Sequence, residues 1–177
     1  MVHIRILLAG LLVLAGVTLA APEEGKPAPA FDVPATSIST ALPEKKDAKT
    51  LSLADLKGKN VVLFFYPKAL TRGCTVESCG FRDLAKEFAS ANTVLIGASH
   101  DTVELQQKFT DTHKLPFPLL ADTKMEVSKA YGTSAGKGNP ARHTFVIDKE
   151  GVLRKVYTKV TPAKHPQEVL DFVKTLK

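Results

Sequence analysis

Cys74 and Cys79 are the only two thiols in this 177-residue chain, and they stand five residues apart. Such a pair can staple a fold, hold a metal ion, or cycle between dithiol and disulfide. As a staple it closes a very short loop, worth only ~2 kcal/mol in the chain-entropy picture. If both residues lie on one helix, its rise and turn put their Cα atoms roughly 8.6 Å apart. A disulfide tolerates no more than about 7 Å, so bonding would require the start of that helix to unwind. For a metal site, His100, His113, His143 and His165 show no paired spacing beside the cysteines, although distant residues can converge on folding. In the redox reading, Cys74 sits in the first turn of a helix, where unpaired N–H groups and the helix dipole favour a thiolate. Cleaving an O–O bond further needs donors that hold the peroxide in line. The Thr71 hydroxyl, three residues upstream, and a guanidinium from elsewhere are suitable. On residue types alone the three readings remain open.

The elements that must position these groups are visible as periodicity. Val61–Tyr66 is an unbroken apolar run ended by Pro67, the pattern of a strand buried on both faces. Val76–Ser90 carries Phe81, Leu84, Ala85 and Phe88 at helical spacing, and Thr93–Ala98 reads as a second buried strand. Thr102–His113 is amphipathic, Phe117–Leu120 a short strand, and Met125–Tyr131 a short helix stopped by Gly132. Thr144–Ile147 and Val152–Tyr157 flank Asp148-Lys149-Glu150-Gly151 as a hairpin, and Gln167–Leu176 is a closing helix. Between Ala21 and Pro43 the chain reads as an extended leading segment with one apolar element at Phe31–Val33, followed by a polar loop over Glu44–Thr50. Gly136–Asn139 lacks the strand and helix of a phosphate-cradling motif and reads as a flexible loop. The order predicts an α/β protein with a thioredoxin-like fold, a mixed central sheet carrying helices on both faces.

Composition narrows the class. With 44% hydrophobic and 24% charged residues, one globular domain over 21–177 is expected. The net charge of +6 is spread in short pairs among acidic residues, without the basic stripe that nucleic-acid binding requires. Arg5 followed by the uncharged run Ile6–Leu19 and the small residues before Ala21 has the form of a signal peptide over 1–20. The run is shorter than the ~20 residues of a spanning helix, so no stable membrane insertion is expected after cleavage. Export, to a bacterial periplasm where disulfides persist, is the corresponding expectation.

The residues around Cys74 carry a family resemblance. Pro67-Lys68-Ala69-Leu70-Thr71-Arg72-Gly73-Cys74 resembles the peroxiredoxin active-site pattern of Pro, three residues, Thr, two residues and Cys. The continuation Thr75-Val76-Glu77-Ser78-Cys79-Gly80-Phe81-Arg82-Asp83 is similar to the Q-type branch, also called bacterioferritin comigratory protein. The likeness extends through Phe117–Asp122, Ala130–Gly132 and Arg142–Gly151. It departs in the loop, where Q-type chains usually carry an acidic residue and then Pro against Ala69 or Leu70 and Arg72 here, and in a longer stretch over Pro34–Thr50.

The resemblance implies a thiol peroxidase acting on hydrogen peroxide and alkyl hydroperoxides. Cys74 would be the nucleophile, Cys79 the resolving thiol, Thr71 the peroxide-binding hydroxyl, Arg142 the activating guanidinium, and Pro67 a shield against water. It implies a thioredoxin-like dithiol protein as reductant and no metal or organic cofactor. The alternatives are an exported thioredoxin-fold copper carrier, which normally has three residues between its cysteines where four intervene here, and a thiol-disulfide exchanger, which would carry Cys-x-x-Cys.

Overall fold

The computed structural model describes residues 21–135 and 138–176. The expected signal peptide over 1–20 lies outside them. Three short strands and two long ones build the central sheet: β3 (Asn60–Phe65), β4 (Thr93–Ser99), β5 (Leu119–Ala121), β8 (Thr144–Ile147) and β9 (Leu153–Tyr157), in the order β5-β4-β3-β8-β9. The apolar run of β3 is buried at every residue because it is central: β4 pairs with it in parallel on one side and β8 antiparallel on the other. The mixed sheet and thioredoxin-like order are as the sequence pattern predicts.

Alternation along β3 divides the core in two. Val61, Leu63 and Phe65 face one layer with Phe31, Val33, Leu51, Leu56, Tyr131 and Phe145. Val62, Phe64 and Tyr66 face the other with Cys74, Phe81, Phe88, Phe109, Leu170 and Val173. The second layer is made by α1 (Arg72–Asp83), α2 (Ala85–Ser90), α3 (Val103–His113) and α5 (His165–Val173). The first is made by the leading segment and α4 (Glu126–Ala130).

Local structure departs from the sequence expectation in four places. The leading segment is not simply extended: β1 (Asp32–Pro34) pairs antiparallel with β2 (Thr50–Ser52), and short 3-10 turns at Ile38–Thr40 and Pro43–Lys45 bury Ile38 and Leu42. The helix expected over Val76–Ser90 begins four residues earlier and breaks at Leu84, whose φ of −98° and ψ of 4° leave the helical region. The closing helix starts at His165, with Pro166 in its first turn where no amide is needed. Around Gly138, β6 (Ser134–Ala135) and β7 (Asn139–Pro140) pair antiparallel, so the segment before Arg142 is a small hairpin.

The strand directions bring three connections to one edge. β3 and β4 run parallel, so the chain leaving β3 for α1 lies beside the chain leaving β4 for α3, with the Tyr66 N–H donating to the Ala98 carbonyl at 3.0 Å. β8 runs the opposite way, so its entrance lies at that same edge, and the Phe65 N–H donates to His143 O at 2.8 Å. Gly97 makes the close packing here possible. A Cβ on it would lie 2.7 Å from Leu119 Cδ2, 3.0 Å from Phe64 Cζ and 3.1 Å from Tyr66 Cε1. Gly97→Ala should therefore destabilise the protein by about 1–3 kcal/mol through overpacking, read as a lower urea midpoint with an unchanged slope; an unaltered midpoint would show that the strands yield freely there.

Candidate active site

α1 begins at Thr71, which takes extended backbone angles and lends its carbonyl to the Thr75 N–H at 2.8 Å. Its side chain does not cap the helix. The hydroxyl instead donates to Lys68 O at 2.9 Å, closing a turn within the preceding loop. The first-turn amides of α1 thus have no side-chain acceptor, and Cys74, the third helical residue, is set among them with 1% of its surface exposed.

Arg142 reaches this thiol from the opposite connection. Its Nη2 donates to Cys74 Sγ at 3.2 Å, and its Nη1 donates to Glu77 Oε2. The approach passes over Gly73, where a Cβ would already stand 3.4 Å from Nη2. The Arg142 backbone is held by its neighbours: the Ala141 N–H donates to Thr133 O at 2.6 Å, and the His143 N–H to Ala141 O at 3.0 Å. Burial works against the charge on Arg142, but Glu77 and the Cys74 sulfur together hold its guanidinium above its ordinary range.

Glu77 is the residue that sequence reasoning passed over. Its side chain is wholly buried, with Oε1 lacking any partner. Burial pushes its carboxyl up to about 7 against the lowering effect of Arg142. A signal existed: on α1, Glu77 lies between Cys74 and Phe81 on the buried face, a position where an unpaired acid is rarely tolerated.

The remaining sequence-predicted residues are distributed around this pair. Cys79 is half-buried on the same unbroken helix, and both thiols are free. Pro67 is half-buried at the start of the loop, while Thr71 and Arg72 are exposed at its end. The structure therefore brings Cys74 and Arg142 into contact, places Thr71 on the same helix start, and keeps Cys79 on α1 without joining it to Cys74. Among the described residues no group of three or more His, Cys, Asp or Glu side chains gathers where an ion could be held. Among them, too, no helix is long and apolar enough to cross a membrane.

Comparison with known proteins gives a consistent result. The AhpC/TSA family profile matches residues 25–156. A Coxiella burnetii protein named as peroxiredoxin bcp is 40% identical over 155 residues, covering 84% of this chain and 96% of that protein. Peroxiredoxin Bcp of Bacillus subtilis is 42% identical over 135 residues, covering 72% of this chain and 86% of the relative. Among solved structures, peroxidoxin BcpB from Mycobacterium tuberculosis superposes with a TM-score of 0.77 at 32% identity, covering 88% of this chain and 99% of that one. One expectation is corrected by these findings. The relatives it matches are Bcp peroxiredoxins of bacteria, and on that likeness the periplasmic location read from the first twenty residues does not stand.

The buried carboxyl makes a prediction that is independent of turnover. In the unfolded chain Glu77 loses its proton near 4.5, whereas in the folded protein it keeps it up to about 7. Its neutral form adds stability that is complete below 4.5 and is lost as pH rises through 7. Glu77→Gln cannot ionise, so its thermal stability should decline less than that of the parent between pH 4.5 and 7. Parallel stability profiles for the two proteins would rule out a raised Glu77.

Proposed function

The chain belongs to the AhpC/TSA family and is a peroxiredoxin of the Bcp or Q type, and on that premise we propose that Cys74 is its peroxide-attacking thiolate and Cys79 its resolving thiol. The observation that carries this reading is the 3.2 Å hydrogen bond from Arg142 Nη2 to a Cys74 sulfur held in the first turn of α1. A cation and a set of uncapped amides there stabilise an anion, and they remain in place for the charge that develops on the leaving oxygen.

In the proposed cycle the Cys74 thiolate attacks the distal oxygen of ROOH. An S–O bond forms, the O–O bond breaks, and RO⁻ leaves to take a proton as ROH, so sulfur is oxidised by two electrons and the peroxide reduced by two. Arg142 spans the sulfur and the departing oxygen. Thr71, whose hydrogen is engaged with Lys68 O, offers its lone pairs to the peroxide O–H, and Pro67 limits water at the thiol. The Cys79 sulfur then attacks Cys74 Sγ. An S–S bond forms, the S–O bond breaks, and hydroxide leaves as water. A thioredoxin-like dithiol protein returns the two electrons. Residues 21–177 act as one domain in this reading.

Closure requires α1 to unwind, because both cysteines occupy one regular helix and their Cα atoms stand roughly 8.6 Å apart in that geometry. The half that moves is the first. Beyond Cys79, Phe81 is fully buried and stacks on Phe64 with ring centroids 4.5 Å apart. Arg82 Nη1 donates to His113 O at 2.8 Å, tying the end of α1 to the end of α3. A Cβ at Gly80 would come within 2.8 Å of Pro166 Cγ, so α5 lies hard against this half.

The test separates the two thiols. Cys74→Ser should abolish hydroperoxide consumption, and Cys79→Ser should allow one equivalent per chain and then stop when a dithiol protein is the sole reductant. Arg142→Met should slow Cys74 oxidation by ~100-fold or more, the usual loss on removing one such donor. Unchanged steady-state turnover in either cysteine variant sinks the assignment.

A further inference from the structure

Asp101 stands just beyond β4 and faces the backbone of the loop that leads to Cys74. Its Oδ2 accepts the Ala69 N–H at 2.7 Å and the Ser99 hydroxyl at 2.7 Å. Ser99 Oγ accepts from Gln106 Nε2 at 2.9 Å and from the Asp101 N–H at 3.2 Å. Gln106 Nε2 also donates to Leu120 O at 2.8 Å, and Gln106 Oε1 accepts the Tyr66 hydroxyl. Tyr66, Ser99 and Gln106 are completely buried, and Ala69 nearly so. The network therefore starts on Tyr66, where the chain leaves β3, crosses β4 and α3, and returns to Ala69 in the middle of the loop.

The loop has reason to need that grip. Leu70 adopts φ 62°, the left-handed region that a branched L-residue avoids and that Gly or Asn fills at little cost. Nothing in the local sequence sets this turn, since Lys68, Ala69, Leu70 and Thr71 include neither residue. Two contacts flank it: the Ala69 amide on Asp101 and the Thr71 hydroxyl on Lys68 O. Of these two hydrogen bonds the first comes from outside the loop, and the Leu70 side chain packs against the core.

We propose that Asp101 is a positioning residue for the peroxide-receiving loop: through the Ala69 amide it imposes the turn at Leu70 that sets Thr71 and the first turn of α1 around Cys74, and it lets go when that turn unwinds toward Cys79. The inference rests on the assignment of Cys74 and Cys79 given above. Asp101 touches none of the reacting atoms. Its loss frees the loop, which slows capture of peroxide by the thiolate but does not slow, and can speed, the unwinding that precedes disulfide closure. A purely structural role would instead diminish the active fraction without moving the two rates apart.

The experiment uses the reduced full chain, rapid quench with thiol trapping, and intact mass, which read the sulfenic acid and the disulfide separately after mixing with hydrogen peroxide. Asp101→Ala should oxidise ~10-fold or more slowly, as expected when reacting groups lose their alignment, with disulfide closure at least as fast as in the parent. Asp101→Asn keeps an acceptor at the same reach and should recover most of the oxidation rate. Ser99→Ala, which loosens Asp101 without removing it, should move both rates in the same directions by a smaller factor, and it serves as the test if Asp101→Ala does not fold. The proposal is overturned if Asp101→Ala oxidises at the parent rate, if both steps slow by one common factor, or if Asp101→Asn is as slow as Asp101→Ala. Oxidation that persists in Cys74→Ser would remove the assignment beneath the proposal, a result separate from any comparison of Asp101 variants with an active parent.

Discussion

A single guanidinium lies between two acidic groups in a site from which water is largely excluded. Arg142 donates through one nitrogen to the Cys74 sulfur and through another to Glu77, whose carboxyl is sealed from solvent. One positive charge cannot fully compensate two negative ones at low dielectric, so sulfur and carboxyl compete for it. Burial pushes the Glu77 carboxyl up to about 7, and in the proposed cycle a protonated carboxyl would free Arg142 for the Cys74 sulfur.

Holding Arg142 in that position engages the sheet as a whole. The guanidinium comes from the connection into β8, the sulfur from the connection out of β3, and the two strands are antiparallel neighbours. Their hydrogen-bonded register places the entrance of one beside the exit of the other, so the site is assembled by strand order before any side-chain choice is made. Gly73 then clears space for the guanidinium, and Gly97 lets Phe64, Tyr66 and Leu119 close beneath the loop. Binding at the carboxyl ends of parallel strands is general to open α/β sheets. Here the cation that touches the sulfur comes from the antiparallel neighbour.

Much of this was legible in the sequence because burial imposes periodicity. The apolar run Val61–Tyr66 and the helical spacing through Phe81 and Phe88 marked the central strand and the cover of one face. The Pro67, Thr71 and Cys74 spacing and Arg142 were legible through family resemblance, while periodicity placed the helix start four residues late. What the sequence did not show was whatever depends on contacts between distant elements. Glu77 reads as an ordinary charged helix residue until the fold buries it against Arg142. Asp101 and Gln106 read as polar residues around a helix start until the parallel pairing of β3 and β4 brings them to the Ala69 amide. The leading segment was read as extended because Ala21–Pro43 is rich in Pro, Ala, Ser and Thr, whereas Ile38 and Leu42 tuck into the core through 3-10 turns that leave no periodic signature.

The tight seating of Gly80 against Pro166 divides α1 into a half that can open and a half that is braced. In the proposed cycle this division acts as a clock. An oxidised Cys74 has two fates: it condenses with Cys79 once the first turns open, or it meets a second peroxide and passes to the sulfinic acid, which an ordinary dithiol does not reverse. In that cycle the opening rate of little more than one helical turn, set against the rate of a second peroxide attack, would fix the peroxide concentration above which Cys74 is overoxidised. Bracing the second half would confine that motion to a few residues.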